Sequence, residues 1–119
     1  MTESLTFLHT ADLHLGAPFR GLAKVSPAWA ARLVQAIAEA FDRVIDTAVS
    51  RKVDFVVVSG DVFDESRASY GDYLRFFEGM RTLGKAGIPV YLITGNHDPY
   101  TSWQQSAFSL PENVHMVPA

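Results

Sequence analysis

Three short segments of the chain are apolar at most positions, and the segments between them repeat apolar residues every three or four positions. The short segments are residues 5–9 (LTFLH), 53–60 (VDFVVVSG) and 88–95 (IPVYLITG). A short, almost continuous apolar run is typical of a strand that is buried on both faces, as in a parallel sheet. Residues 113–117 (NVHMV) form a fourth, weaker strand candidate.

The segments between the strands show the pattern of amphipathic helices. Ser26 and Pro27 form a helix start, because serine is a good N-cap and proline suits the first helical position. Apolar residues recur at helical spacing after this start, which predicts one helix face packed on a sheet: Leu33, Ile37, Phe41, Val44 and Ala48. A second helix is predicted from about Tyr70 to Leu83, ending at Gly84.

The order of these elements predicts the fold. Strand, helix, strand, helix, strand is the order of a βαβαβ unit, so we expect an α/β fold with a mainly parallel sheet, flanking helices and right-handed crossovers. The 119 residues suffice for one domain with a core but not for two, so residues 1–119 are expected to form a single domain. No apolar run approaches the roughly 18 residues of a membrane span.

Cysteine content and net charge limit the possible metal ligands and binding partners. The sequence contains no cysteine, so any metal must be held by Asp, Glu, Asn or His. The absence of cysteine and of a signal peptide fits an intracellular protein, and we expect a cytoplasmic location. The net charge of −3 argues against strong non-specific binding of nucleic acid by this chain alone, because such binding depends on Lys and Arg.

Each of the three stronger strands ends in a polar cluster. The clusters are Asp12 and His14 in TADLHLG, Asp61 and Asp64 in GDVFD, and Asn96, His97 and Asp98 in GNHD. In a parallel sheet the C-terminal ends of the strands lie on one edge, where ligand sites form, so the clusters should lie close together. Crowded carboxylates repel one another unless a cation is present. Asp, Asn and His without thiolate suit manganese, iron, magnesium or zinc.

Each cluster also has a purely structural interpretation. Asp12 could cap the turn after the first strand, the GDVFD segment could form an Asx-turn, and either histidine could be a satisfied buried residue. A metal site explains all three clusters at one edge better than three coincidences do. Two other histidines are interpreted as structural: His9 lies within a strand, and His115 has no acidic residue closer than Glu112.

The segments DLH, GDVFD and GNHD, in this order and at this spacing, resemble the first three motifs of the calcineurin-like metallophosphoesterases. The longer stretch HTADLHLGAPF is most similar to the DNA repair exonuclease branch, which includes the bacterial SbcD-like nucleases. The resemblance extends from Thr6 to about Pro99. It implies the N-terminal part of a metallophosphoesterase α/β sandwich that acts on phosphate esters with two divalent metal ions, of which manganese is the first expectation.

The resemblance also implies a set of metal ligands. Asp12 and His14 match ligands of the first metal, Asp61 matches the carboxylate that bridges both metals, and Asn96 matches a ligand of the second. Two cations about 3.5–4 Å apart stabilise the attacking and leaving oxygens of an in-line displacement. A bridging carboxylate must be short and firmly placed, and an aspartate that follows a glycine at a strand end meets that need.

The catalytic residues implied by the resemblance belong mainly to the third motif. His97 matches the histidine that protonates the leaving group or stabilises the transition state, and Asp98 matches its orienting partner. Asp64 matches a supporting carboxylate of the second motif. A histidine beside the metals but not bound to them can act as a general acid.

The family pattern continues with a later histidine and a GHxH-type pair that complete both metal shells. The sequence contains no such pair, and His115 lies too early and in the wrong context to be the later histidine. We therefore interpret the chain as an N-terminal fragment of a longer metal-dependent nuclease, and we expect the fragment alone to be inactive or nearly so. Two alternatives stay open. One is another phosphodiesterase or phosphatase of the same family, because only HTADLHLGAPF favours the nuclease. The other is an interaction module without catalysis.

The expected partners are DNA, through the full-length protein, and an ATPase, by the family resemblance. A homodimer through helix 70–83 is a further hypothesis. On this helix an apolar face is predicted for Tyr70, Tyr73, Leu74, Phe77 and Met80, whereas Phe76 and Leu83 fall off that face. Either another part of the protein covers these two residues, or they form a two-fold subunit contact.

Overall fold

The computed structural model describes residues 4–15, 20–63, 69–93 and 110–117. The strands are β1 (Phe7–Ala11), β2 (Phe55–Ser59), β3 (Val90–Ile93) and β4 (Val114–Val117). The helices are α1 (Arg20–Val25), α2 (Pro27–Ser50) and α3 (Tyr70–Lys85). None of these helices has both the length and the apolar character needed to cross a membrane.

The strands form one sheet in the order β1-β2-β3-β4, and every neighbouring pair is parallel. The prediction of a parallel sheet is confirmed, and so is the weaker fourth strand, which pairs with β3. Because all strands run in the same direction, their C-terminal ends lie on one edge of the sheet. This edge carries the segments that follow β1 and β2 in the chain.

The sheet is packed on one face only within the described residues. Val56, Val58, Val90 and Leu92 are buried in the core with residues of α2 and α3, whereas side chains that alternate with them point to the other face. On that open face Tyr91 is 41% exposed. The prediction that the strands are buried on both faces is therefore wrong for the described part of the chain. The runs of apolar residues arise because the open face is apolar as well.

Helix α2 begins as predicted. Ser26 is the N-cap, its Oγ accepts a hydrogen bond from the Trp29 backbone N–H at 3.4 Å, and proline occupies the first turn. The 24 residues of α2 extend about 36 Å, whereas a five-residue strand extends about 17 Å. The helix therefore projects beyond the sheet. Phe41 and Ala48 are buried as expected, but the expected packing of Leu33 on the sheet is wrong, because this residue is 37% exposed.

Helix α3 begins with a capping box. The Ser69 side chain accepts a hydrogen bond from the Asp72 backbone N–H at 3.2 Å, and the Asp72 carboxylate accepts one from the Ser69 backbone N–H at 2.7 Å. Further along, Gly79 lets α3 approach α2 closely, because a Cβ at this position would lie 2.7 Å from Cζ of Phe41. The two helices thus form one layer over the sheet.

Phe76 and Leu83 are both fully buried, whereas Tyr70 at the start of the predicted apolar face is 70% exposed. The ring of Phe76 lies 5.8 Å from that of Phe41 in α2. It also lies 5.5 Å from the ring of Phe63, which follows β2. The chain itself covers Phe76, so the hypothesis that this residue forms a subunit contact is wrong.

Candidate metal centre

The chain leaves β1 and β2 through two short loops that run side by side. The last paired residues of the two strands are Ala11 and Ser59, and pairing resumes at a parallel bridge between Leu15 and Phe63. Residues 12–14 and 60–62 lie between these fixed points, and the two loops have equal length. The register of the strands is therefore preserved across both loops.

Backbone hydrogen bonds join the two loops directly. The N–H of His14 donates to the carbonyl oxygen of Asp61 at 2.8 Å, and the N–H of Leu15 donates to that of Val62 at 2.8 Å. Leu15 and Val62 are buried, so the far end of both loops is anchored in the core. Neither loop can shift far without breaking these contacts.

Left-handed backbone conformations concentrate in these loops. Asp12, His14 and Asp61 have φ angles of 53°, 47° and 49°, and Gly60 has 52°. Among the described residues, Lys52 is the only other non-glycine residue with a positive φ. Such conformations cost about 1–3 kcal/mol each and persist only where the surrounding structure fixes them, often at functional sites. This concentration of strained residues makes the ends of β1 and β2 the candidate functional site.

The three strained residues other than glycine bring their side chains together. Asp12, His14 and Asp61 each offer one ligand atom, and these atoms all lie within 4.8 Å of one another. Asp12 is exposed, and the other two are half-buried. Ligand atoms of one divalent ion such as zinc lie about 2.0–2.2 Å from it and so at most about 4.4 Å apart. A cluster whose ligand atoms all lie within 4.8 Å is therefore close to the spacing that one ion requires.

The donor set of this cluster fits a divalent cation. Two carboxylates and one imidazole, with no thiolate, suit manganese, iron, magnesium or zinc. The carboxylates would also repel each other less with a cation between them. These three residues are the part of the predicted metal shell that the described chain contains.

The remaining predicted site residues lie outside the described residues: Asp64, Asn96, His97 and Asp98. The described chain does show where β3 ends. The carbonyl oxygen of Ile93, the last residue of β3, accepts a hydrogen bond from the N–H of Gly60 at 2.5 Å. The ends of β1, β2 and β3 are therefore adjacent, and Ile93 lies beside the residue that precedes Asp61.

A second feature near the cluster was not predicted. His9 of β1 and Ser59 of β2 share a side-chain hydrogen bond, with Nε2 and Oγ 2.8 Å apart. The sequence predicts a structural role for His9, because it lies within a strand, and no role for Ser59. Their positions three and two residues before Asp12 and Asp61 were the available signal, but the pairing of β1 with β2 was needed to show that they meet.

A groove of about 580 Å³ between α2 and α3 is a separate feature. Its lining includes Asp42 and Arg75, whose carboxylate oxygen and guanidinium nitrogen are 2.6 Å apart, but none of the three cluster residues. Both of these side chains are more than 40% exposed, and ion pairs of this kind contribute about 0–1 kcal/mol. Because none of the cluster residues lines it, the groove is not a candidate for the metal centre.

Comparison with known proteins identifies the class of protein. The chain belongs to the calcineurin-like phosphoesterase family, whose family model matches residues 5–118. The family resemblance inferred from DLH, GDVFD and GNHD is thereby confirmed.

Several relatives cover most of the chain. It is 38% identical over 116 residues to the "Uncharacterized metallophosphoesterase YhaO" of Bacillus subtilis (strain 168), covering 98% of this chain and 28% of the relative. It is 34% identical to the "DNA double-strand break repair protein Mre11" of Aeropyrum pernix, covering 88% of this chain and 24% of the relative. The Mre11 protein of Archaeoglobus fulgidus is also 34% identical, with coverages of 95% and 24%. The chain thus spans about a quarter of the length of these relatives.

The fold resembles that of a solved structure, "Crystal structure of Pseudomonas putida nuclease MPE". The TM-score is 0.55 at 19% sequence identity, and the match covers 93% of this chain and 46% of the other. At this identity the likeness concerns the fold. It agrees with the parallel sheet and the flanking helices described above.

Proposed function

We propose that this chain supplies the first three motifs of a two-metal site that hydrolyses phosphodiesters, with DNA as the substrate of the whole protein. The observation that carries the proposal is the convergence of Asp12, His14 and Asp61, whose ligand atoms lie within 4.8 Å of one another. Membership of the calcineurin-like phosphoesterase family supports metal-dependent phosphoester chemistry. The two loops that carry these residues are strained and are joined by backbone hydrogen bonds, which supports a preorganised site.

Each motif residue would have a distinct role in metal binding or catalysis. Asp12 and His14 would be ligands of the first metal, Asn96 would be a ligand of the second, and Asp61 would contribute its carboxylate to both. When bound, divalent ions of this kind supply an activated water and stabilise the charge that develops on the phosphoryl oxygens. His97 would donate a proton to the leaving oxygen, and Asp98 would orient its imidazole ring.

The exposure of Asp12 is compatible with a polymeric substrate. Asp12 is exposed at the edge of the sheet, so a phosphodiester within a long chain can reach the site. The net charge of −3 means that this chain attracts phosphates weakly by itself. Attraction of DNA would come from the bound cations and from other parts of the whole protein. Similarity to two proteins named as DNA double-strand break repair proteins supports DNA as the substrate.

A second candidate function is hydrolysis of a different phosphodiester. The relative with 38% identity is named only as a metallophosphoesterase, and it is more similar to this chain than the two Mre11 proteins at 34%. Assays of the whole protein on single- and double-stranded DNA, a dinucleotide and a phosphomonoester would separate these functions. Preference for DNA supports the nuclease, and preference for a small diester supports the second candidate. The homodimer, the ATPase partner and the cytoplasmic location stay predictions.

Calorimetric titration of the metal-free chain with Mn²⁺ and Mg²⁺ tests the metal site. We expect saturable Mn²⁺ binding that Asp61→Asn weakens by at least about tenfold. Loss of a residue that merely supports a ligand typically lowers metal affinity 10–100-fold, and loss of the ligand itself should lower it at least as much. Asn also tolerates the left-handed backbone at this position. Asp46→Asn is the matched control, because Asp46 is an exposed carboxylate of α2. An absence of saturable binding, or equal losses in both variants, would overturn the proposal.

A further inference from the structure

His9 and Ser59 lie on the open face of the sheet, where the two loops begin. In the register of β1 and β2, His9 is opposite Val57 and Ser59 is opposite Ala11. The two residues are therefore diagonal neighbours on one face, and Nε2 of His9 lies 2.8 Å from Oγ of Ser59. This bond joins β1 three residues before Asp12 to β2 immediately before Gly60.

Packing holds the loops from the opposite face of the sheet. Val58 of β2 and Val62 of its loop are buried in the core, as are Leu15 and Phe63 at the far end of both loops. On the open face His9 is exposed and Ser59 is half-buried, so hydrophobic packing gives less support there. The side-chain hydrogen bond supplies lateral support on this less packed face.

The loops need such support because their backbone is strained. Asp12 and the pair Gly60–Asp61 adopt left-handed conformations within three residues of the His9–Ser59 bond. Strained conformations persist only where the surrounding structure over-determines them. Backbone hydrogen bonds join the loops at His14–Asp61 and Leu15–Val62. Loosening of the strand ends would therefore act on the near end of the first loop and move the ligand atom of Asp12 away from that of Asp61.

We propose that His9 and Ser59 are positioning residues for the metal centre, fixing the separation of Asp12 and Asp61 through their shared hydrogen bond. The inference rests on the proposed metal site. Neither residue needs to contact the metal. An exposed hydrogen bond adds little to the stability of the whole fold, so its loss should appear mainly in metal affinity.

The test is Mn²⁺ titration of wild type, His9→Ala, Ser59→Ala, the double variant and His9→Gln, with thermal unfolding of each metal-free protein. We expect each alanine substitution to weaken Mn²⁺ binding about tenfold, as losses of outer-shell support typically do. The double variant should be no weaker than either single variant, because all three lack the same bond. His9→Gln should restore most of the affinity, because its amide can replace Nε2, and the unfolding temperatures should stay close to wild type.

His115→Ala is the matched control. His115 lies in the same row of the sheet as His9, is exposed on the same face, and stacks on Tyr91 with ring centroids 5.3 Å apart. We expect this variant to bind Mn²⁺ as wild type does.

Four outcomes would contradict the proposals. Unchanged Mn²⁺ affinity in His9→Ala and Ser59→Ala, or an equal loss of affinity in His115→Ala, overturns the inference about positioning but not the proposed metal site. A loss in His9→Ala without one in Ser59→Ala also overturns it, because it would indicate a direct ligand. If wild type binds no Mn²⁺, the proposed function itself fails.

Discussion

The backbone N–H of His14 donates a hydrogen bond to the carbonyl oxygen of Asp61, so residues that follow two different strands are joined through the main chain at 2.8 Å. Their side chains belong to the same cluster of ligand atoms. Because the link uses backbone atoms, the relative placement of the two loops should not depend on a bound ion. The cluster should therefore bind a metal with little rearrangement of the fold.

Metal binding should stabilise the folded chain, because an ion held by His14 and Asp61 binds the native state and not the unfolded one. At a free Mn²⁺ concentration 100 times the dissociation constant, the free energy of unfolding should rise by about 2.7 kcal/mol. Chemical denaturation with and without Mn²⁺ measures this gain, and a chelator should reverse it. In Asp61→Asn, with at least tenfold weaker binding, the gain at the same concentration should fall to about 1.4 kcal/mol or less. An equal gain in both proteins would place the ion elsewhere.

Glycine substitutions that relieve backbone strain should raise the free energy of unfolding, but only the one that removes a metal ligand should weaken Mn²⁺ binding. Asp12→Gly and Lys52→Gly each replace a residue at φ near 50° with glycine, which adopts this conformation without strain. Both variants should be more stable than wild type by about 0.5–1 kcal/mol, since the greater entropy of unfolded glycine offsets part of the relief. Only Asp12→Gly should lose Mn²⁺ affinity. Denaturation and calorimetry on the same two proteins test this, and equal Mn²⁺ affinities would exclude Asp12 as a ligand.

The close approach of α2 and α3 should make Gly79 intolerant of a side chain. A Cβ there would lie 2.7 Å from Cζ of Phe41 and 3.1 Å from Cγ1 of Ile45, inside the buried core. Gly79→Ala should destabilise the fold by about 1–3 kcal/mol through overpacking, although alanine is the better helix former. Gly71→Ala in the same helix is the control, because the nearest atom would lie 3.7 Å away. Thermal unfolding should therefore show a lower melting temperature for Gly79→Ala than for Gly71→Ala. A melting temperature of Gly79→Ala equal to or above that of Gly71→Ala would show that the helices can move apart easily.

The sequence predicted the features that depend on local pattern or on the direction of the strands. These include the parallel sheet, the helix start at Ser26, and the proximity of Asp12, His14 and Asp61. It did not predict the features that depend on lengths and register. The exposure of Leu33 follows from a helix longer than the strands.

The contact between His9 and Ser59 depends on the register of β1 and β2, which hydrophobic pattern does not specify. Phe76 falls off the helical stripe that Tyr70 and Phe77 suggest. It is buried because Phe41 and Phe63 approach α3 from two different elements. A helical wheel shows which residues share a face, but not how wide an arc the neighbouring elements cover.

Phe76 should contribute to the stability of the monomer rather than to an interface. Its ring is fully buried among aromatic residues of α2, α3 and the segment after β2. Phe76→Ala should lower the free energy of unfolding by about 3–5 kcal/mol. Arg81→Ala, at an exposed position of the same helix, should change it by no more than about 0.5 kcal/mol. Sedimentation of wild type and of any folded Phe76→Ala should give the same oligomeric state, and a change from dimer to monomer would restore the subunit-contact hypothesis.

The 119-residue chain alone should show little or no hydrolysis of DNA or of a generic phosphodiester in the presence of Mn²⁺. In the proposed site the motif residues would supply three ligands for the first metal, Asp12, His14 and Asp61, but only Asp61 and Asn96 for the second. Loss of outer-shell support alone typically costs 10–100-fold in metal affinity or activity, so a second ion with two protein ligands should be held weakly. The measurement is turnover by the purified chain, with His97→Ala as the control for contaminating nuclease. Robust Mn²⁺-dependent turnover that His97→Ala abolishes would contradict this prediction, because it would show that these motifs suffice for catalysis.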